Sequence, residues 1–192
     1  MLKNHSNTMA LIEKHIVGET NELSNVEQLL YQDIVTNLRR HPQSEYKFFF
    51  NTSIIHFGVP SRTFRSRDYH AQLIEYITDH CNVEREEAIE LVCLLNKNVT
   101  TNTLKLDVAK VKDGKVVTAI ELNREMHYTV PCDIEGRKRF VEGRFCDMIK
   151  QHELSKLHDF KTANYCLRYE HGASSDENMR LDSMLYDFTH NL

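Results

Sequence analysis

A chain of 192 residues, 41% apolar and 27% charged, is long enough for one well-cored domain and has globular rather than disordered composition. Its formal net charge of −4 supplies no global basic field, so any nucleic-acid binding must come from local patches. Five scattered cysteines without a C-x-x-C pair argue against a disulfide framework or zinc ribbon and for a reducing, cytoplasmic or nuclear setting. No apolar run reaches membrane-spanning length, and the polar, charge-broken start does not read as a signal peptide.

Residues 1–20 surround one apolar patch, Met9-Ala10-Leu11-Ile12, and read as a frayed start or short helix. Ser24-Asn25-Val26-Glu27 has the capping-box pattern, and Val26, Leu29, Leu30, Ile34 and Leu38 continue at helical spacing. Arg39 and Arg40 suit the C-terminal dipole and Pro42 ends this helix, predicted over 24–40. Glu45–Phe57 is aromatic and β-branched, the best case for a first core strand, and its three successive phenylalanines predict burial on both faces. Gly58-Val59-Pro60-Ser61 breaks it. Arg62, Arg65 and Arg67 then surround Phe64, either as a phosphate-contacting, base-stacking group or as a solvated loop, the favoured reading. Two helices are predicted over 68–80 and 83–95, the second capped by Asn82 with Glu84, Glu86 and Glu87 in its first turn.

Lys112-Asp113-Gly114-Lys115 separates two apolar, β-branched runs, a strong hairpin signal that predicts antiparallel strands over 104–111 and 116–123. Lys105, Asp107 and Ala109 share one face of the first strand; Val117, Ala119, Glu121 and Asn123 share one face of the second. An acid thus lies on each strand among residues that are normally buried, where an unpaired carboxylate is costly. Two converging carboxylates suit a hard divalent cation such as magnesium. Pro131 leads into a long helix over 135–158, whose stripe runs through Phe140, Val141, Phe145, Met148 and Ile149. Arg137, Lys138, Arg139 and Arg144 make the most concentrated positive patch, read either as a grip on a phosphate backbone or as a solvated face paired with Glu135 and Glu142. A strand over 163–170, a loop over 172–178 and an amphipathic helix over 179–190 close the chain.

The order helix, strand, acidic hairpin, helix, strand, helix, with Asp107 and then Ile120-Glu121-Leu122-Asn123-Arg124-Glu125-Met126-His127, resembles the PD-(D/E)xK nuclease superfamily. The likeness is to its small members related to very-short-patch-repair endonucleases, whose second strand reads roughly I-E-x-D-G-x-x-H, followed by a helix carrying Asp-x-x-Lys. Here Asp147-Met148-Ile149-Lys150 and then Tyr165-Cys166-Leu167-Arg168-Tyr169 follow in that order. The likeness covers 104–190 clearly and the helix over 24–40 weakly. Asn123 stands where many members have lysine, and Arg124 where the subgroup has glycine.

The resemblance implies an α/β fold, mixed α+β, with a restriction-endonuclease-like central sheet flanked by helices. It implies one nuclease-like domain over 1–192, with the helices of 62–98 as an insertion placed to shape substrate access. It further implies Mg2+, or Mn2+, held by Asp107, Glu121 and the Leu122 carbonyl, with Glu27 as a helix-borne third acid. Glu90 competes for that place, and capping alone also explains Glu27. His127 is the expected proton shuttle or transition-state donor. Asn123 occupies a catalytic position, and Lys150 is expected to supply the positive charge Asn123 lacks, although Asp147 and Lys150 also suit a simple i, i+3 pair.

The expected function is metal-dependent phosphodiester hydrolysis, with nucleic acid as partner, DNA ahead of RNA, and a homodimer compatible with it. The alternative is a catalytically degenerate nuclease fold that binds nucleic acid or protein. A further alternative makes the 62–95 segment a partner-binding element on a nuclease scaffold. The sequence contains no G-x-G-x-x-G, Walker, G-x-S-x-G, H-E-x-x-H or EF-hand pattern, and six glycines leave little for phosphate-cradling loops.

Overall fold

The structure, a computed structural model, describes residues 2–18, 20–124, 127–157, 161–167 and 186–190. Along these the order is α1 (Leu2–His15), β1 (Ile16–Gly18), α2 (Asn25–Arg40), β2 (Lys47–Ser53), β3 (Thr63–Arg65) and α3 (His70–His80). It continues through α4 (Arg85–Cys93), β4 (Asn98–Thr100), β5 (Lys105–Lys112), β6 (Lys115–Arg124), α5 (Ile134–Ser155) and β7 (Lys161–Leu167). Residues 186–190 are also helical. The fold is mixed α+β. Five strands form one sheet in the order β1-β2-β5-β6-β7, and β3 and β4 form a second, two-stranded sheet.

The Asp113-Gly114 turn sets the centre of the large sheet. Both residues adopt positive φ, 51° and 74°, as a tight hairpin turn demands, and β5 and β6 pair antiparallel on either side. β2 runs antiparallel to β5, whereas β1 on β2 and β7 on β6 are parallel, the latter reached by the α5 crossover. Side chains alternate across each strand, so the three phenylalanines of β2 divide between the two faces. Phe48 and Phe50 are fully buried with Leu30, Ile34 and Leu38 of α2, while Phe49 packs into the opposite core. On that opposite face Val141, Phe145 and Ile149 of α5 cover Ala109, Val111 and Ala119, and the same core continues into Leu73, Ile77, Leu91 and Val92 of α3 and α4.

Several expectations are corrected. The first core strand stops at Ser53, and Ile54–Phe57 is a 3-10 turn closed by Gly58 at φ 89°. The start of the chain is a full helix followed by a strand, β1, whose three residues pair parallel with β2. The Arg62–Arg67 stretch is not simply a loop, because β3 pairs with β4 and stitches the base of the 62–98 segment into a two-stranded clasp. Glu84, not Asn82, is the N-cap of α4, and it makes no side-chain cap bond. The last strand spans Lys161–Leu167, and residues 179–185 of the expected final helix lie outside the described residues.

Lys110 on β5 was not singled out by sequence, yet it is buried; its Nζ donates to the Phe188 carbonyl at 3.1 Å and lies 4.3 Å from the Tyr46 ring centre. Burial pushes its ammonium down to about 8. Below that pH the fold carries a penalised charge. Between about 8 and the unfolded value the folded chain sheds the proton first, so stability rises with pH through that window. Lys110→Met is therefore expected to raise the melting temperature at neutral pH, with a smaller gain at roughly pH 10. Thermal melts at both pH values test this, and equal gains would show that desolvation of the ammonium is not the cause.

Candidate active site

The β5–β6 ladder runs to Val108↔Ile120, and beyond that pair the strands part. There the Leu122 N–H donates to Asp107 Oδ2 at 2.6 Å, so a side-chain carboxylate stands where a strand carbonyl would otherwise accept. The N–H and C=O of an extended residue lie on the same strand edge, which turns the Leu122 carbonyl toward Asp107 as well. β2 is irregular at the same level. Asn51 has φ 46° and drops out of the ladder between Phe50↔Val108 and Thr52↔Leu106.

Glu121 is buried, and its Oε2 accepts from Lys150 Nζ at 2.6 Å, while Oε1 is buried with no hydrogen-bond partner among the described residues. Lys150 Nζ also donates to the Lys105 carbonyl at 3.1 Å and lies 3.4 Å from Asp147 Oδ1. The charges continue up α5 at i, i+3 spacing: Arg144 Nη2 is 2.8 Å from Asp147 Oδ2 and 2.6 Å from His127 Nδ1, and Arg144 Nη1 donates to the His127 carbonyl. A guanidinium only donates, so His127 Nδ1 accepts and the ring proton sits on Nε2. Held this way, His127 is a donor at Nε2 and not a base at Nδ1.

Glu27 completes the capping box, with Ser24 N donating to Oε2 at 2.7 Å, and Oε1 receives Asn51 Nδ2 at 3.2 Å. Its charge also bears on Asp107, but both carboxylate oxygens are taken by these bonds, so the cap is the role the structure shows. Burial raises the Asp107 carboxyl; the Leu122 N–H and Lys150 pull it back, and Glu27 and Asp147 push it further up. Burial likewise pushes the Glu121 carboxyl up, Lys150 opposing and Asp107 and Asp147 reinforcing the rise. Lys150 itself is raised: burial lowers it, but Glu121 and Asp147 more than compensate. Asp107 thus feels Glu27 and Asp147, Glu121 feels Asp107 and Asp147, and the cations beside them are largely buried Lys150 and buried Arg144. The excess of acid, together with the unpartnered Glu121 Oε1, is chemistry that a cation answers. Among the described residues no three His, Cys, Asp or Glu side chains are gathered closely enough to hold a metal alone. A cation here would draw on Asp107, Glu121 and a backbone carbonyl.

Other expected site residues fall elsewhere. Asn123 is buried, with Nδ2 3.4 Å from the Tyr128 hydroxyl. Glu90 is exposed on α4 and faces Arg137 at 3.8 Å, which removes it as a third acid. The expected basic patch does not form one face: Arg144 is buried, Arg137 stands beside Glu87 and Glu90, and Lys138 pairs with Glu135. Arg139 is exposed. Arg62 pairs with buried Glu153, Arg65 is exposed on β3, and Arg67 is 3.8 Å from Asp68. Sequence reasoning missed Asn51, Tyr76 and Gln151. The last two line a cavity of about 10 Å3, room for one water, with Leu106, Glu121, Asp147 and Lys150. An asparagine within an aromatic, β-branched run was the available signal for Asn51.

Beyond Arg144 a larger cleft of about 240 Å3 opens, lined by His127, Pro131, Asp133, Gly136, Arg139, Phe140, Gly143 and Arg144. Compared with protein-family models, curated proteins and solved structures, the chain matches none.

Glu121 and Lys150 should behave as one unit in stability. Lys150→Met leaves buried Glu121 without its nearest cation and is expected to destabilise by ~3 kcal/mol. Adding Glu121→Gln should recover a large part of the loss, giving a non-additive cycle in chemical denaturation. Simple additivity would show that the two side chains are energetically independent.

Proposed function

We propose that the chain is a metal-dependent nuclease of the PD-(D/E)xK type. The observation that carries this reading is the meeting of Asp107, Glu121 and Lys150 at the point where β5 and β6 part, within the order α2, β2, β5, β6, α5, β7. Sequence likeness pointed to the same three residues, and the sheet order β2-β5-β6-β7, antiparallel, antiparallel, parallel, supports it independently. In this reading Mg2+ or Mn2+ is held by Asp107, Glu121 and the Leu122 carbonyl. Bound there, the ion supplies Lewis acidity that offsets charge on a phosphate and lowers the pKa of water.

The chain's own residues do the rest. Lys150 fixes the Glu121 carboxylate and adds a positive charge beside a phosphate, the role that Asn123 cannot fill. His127, oriented by Arg144, would donate a hydrogen bond from Nε2–H to an oxygen that develops charge as the P–O bond breaks. Arg144 and Asp147 act through these two as positioning residues. The polymer is nucleic acid, DNA ahead of RNA, and a homodimer is compatible with double-strand cutting.

A second reading, the degenerate fold that binds without cutting, is favoured by one observation: Glu121 Oε2 already has its cation in Lys150. Incubation of supercoiled and single-stranded DNA with manganese separates the two. Wild type is expected to cut, and Glu121→Gln and Asp107→Asn are each expected to lose activity by on the order of 100-fold. Equal cutting by wild type and Glu121→Gln would remove the site from consideration. Calorimetry that detects no manganese binding by the intact protein would leave only the binding module.

A further inference from the structure

We infer that the cleft beside His127 receives an unstacked nucleobase, so that the substrate is single-stranded or locally unpaired nucleic acid. The inference rests on the nuclease reading for the position of the cut, and on the cleft itself for the binding. Gly136, Phe140, Gly143, Asp147 and Lys150 fall at i, i+4, i+7, i+11 and i+14 of α5, one continuous stripe. Its first half walls the cleft and its second half reaches Glu121. From Gly143 to Lys150 the rise is about 10 Å, equal to about three stacked steps of a duplex strand and fewer once the strand is stretched.

The walls suit a flat, π-faced group. Pro131, Phe140 and the bare backbone of Gly143 supply apolar surface, and a Cβ at Gly143 would meet nothing within 4 Å. Arg139 supplies donors for a base edge or an adjoining phosphate, and Arg144, already bonded to His127 and Asp147, links the cleft wall to the acids. A paired base inside a duplex cannot enter a concave cleft without leaving its stack, whereas an unpaired one pays little for doing so.

Electrostatics point the same way. Tracking a duplex requires many free cations along the phosphates, and the cations nearby are already matched. Lys97 pairs with Glu142, Arg137 stands beside Glu87 and Glu90, Lys138 pairs with Glu135, and Arg144 pairs with Asp147. Arg139, on the cleft, has no carboxylate partner among the described residues. With a net charge of −4, affinity must come from stacking in a defined slot more than from a charged surface.

The test is fluorescence anisotropy of a labelled oligonucleotide of roughly 12 nucleotides, single-stranded or as the matching duplex, in a chelator so that nothing is cut. Wild type is expected to bind the single strand at least about tenfold more tightly than the duplex. Gly143→Phe, which fills the cleft, should lose roughly tenfold or more of that affinity, and Arg139→Ala should weaken binding and flatten its salt dependence. Melting curves establish that each variant is folded. Duplex bound as tightly as single strand, or a folded Gly143→Phe with wild-type affinity, overturns the assignment. If Gly143→Phe does not fold, the decision passes to exposed Arg139, and unchanged affinity in Arg139→Ala overturns it. The same proteins are then given manganese. Tight single-strand binding without cutting sinks the nuclease reading and leaves the cleft standing, whereas cutting that Gly143→Phe does not slow keeps the nuclease and sinks the cleft.

Discussion

Glu121 is buried on an interior strand of the sheet, and the Lys150 ammonium 2.6 Å away is what makes that burial tolerable. A lone carboxylate in such a place would either take a proton or unfold its surroundings. The pair obliges α5 to cross the sheet at one height and in one rotation, since Lys150 must reach Glu121 while Val141, Phe145 and Ile149 stay in the core. Hydrophobic packing of α5 is non-directional and would accept a range of positions; the ion pair selects one.

The strands part where their acids begin. At Val108↔Ile120 the hairpin is an ordinary ladder, with apolar side chains on both faces. One residue further each strand carries an acid, and Asp107 turns back to accept the Leu122 N–H rather than leaving that donor unpaired. Asn51 makes the matching adjustment on β2 by entering the left-handed region, from which its side chain reaches Glu27. Three neighbouring strands therefore give up regular pairing at one level, and they do so around acidic side chains. Local rules broken together at one place, with compensating bonds, are the feature on which the proposed site rests.

Much of this frame was legible in the sequence because the signals were local. Asp113-Gly114 marks a hairpin, Ser24 and Glu27 mark a helix start, and the family resemblance singled out Asp107, Glu121 and Lys150. What was not legible depended on distant partners. β1, β3 and β4 are three residues each and exist through the strands beside them. The basic run 137–144 read as one patch because its neutralising acids are spread over other positions: Glu87 and Glu90 lie on α4, Glu135 and Asp147 on α5 itself. Arg144 gave no sequence sign of burial, since only the meeting of α5 with the His127 turn encloses it.

α5 is where these threads join. Its 22 residues show three surfaces: an apolar one that closes the sheet, a stripe that carries charges to Glu121, and the glycine-bearing start of that stripe at the cleft. Gly136 is fixed by contact, because a Cβ there would strike Pro131 at 2.6 Å; Gly143 is not, because a Cβ would meet open space. Glycine inside a helix is unfavourable by roughly 1 kcal/mol relative to alanine, and no contact offsets this at position 143. Gly143 stands on the wall of the cleft, one helical stripe from buried Glu121, and the open space beside it is the slot in which the proposed base would lie.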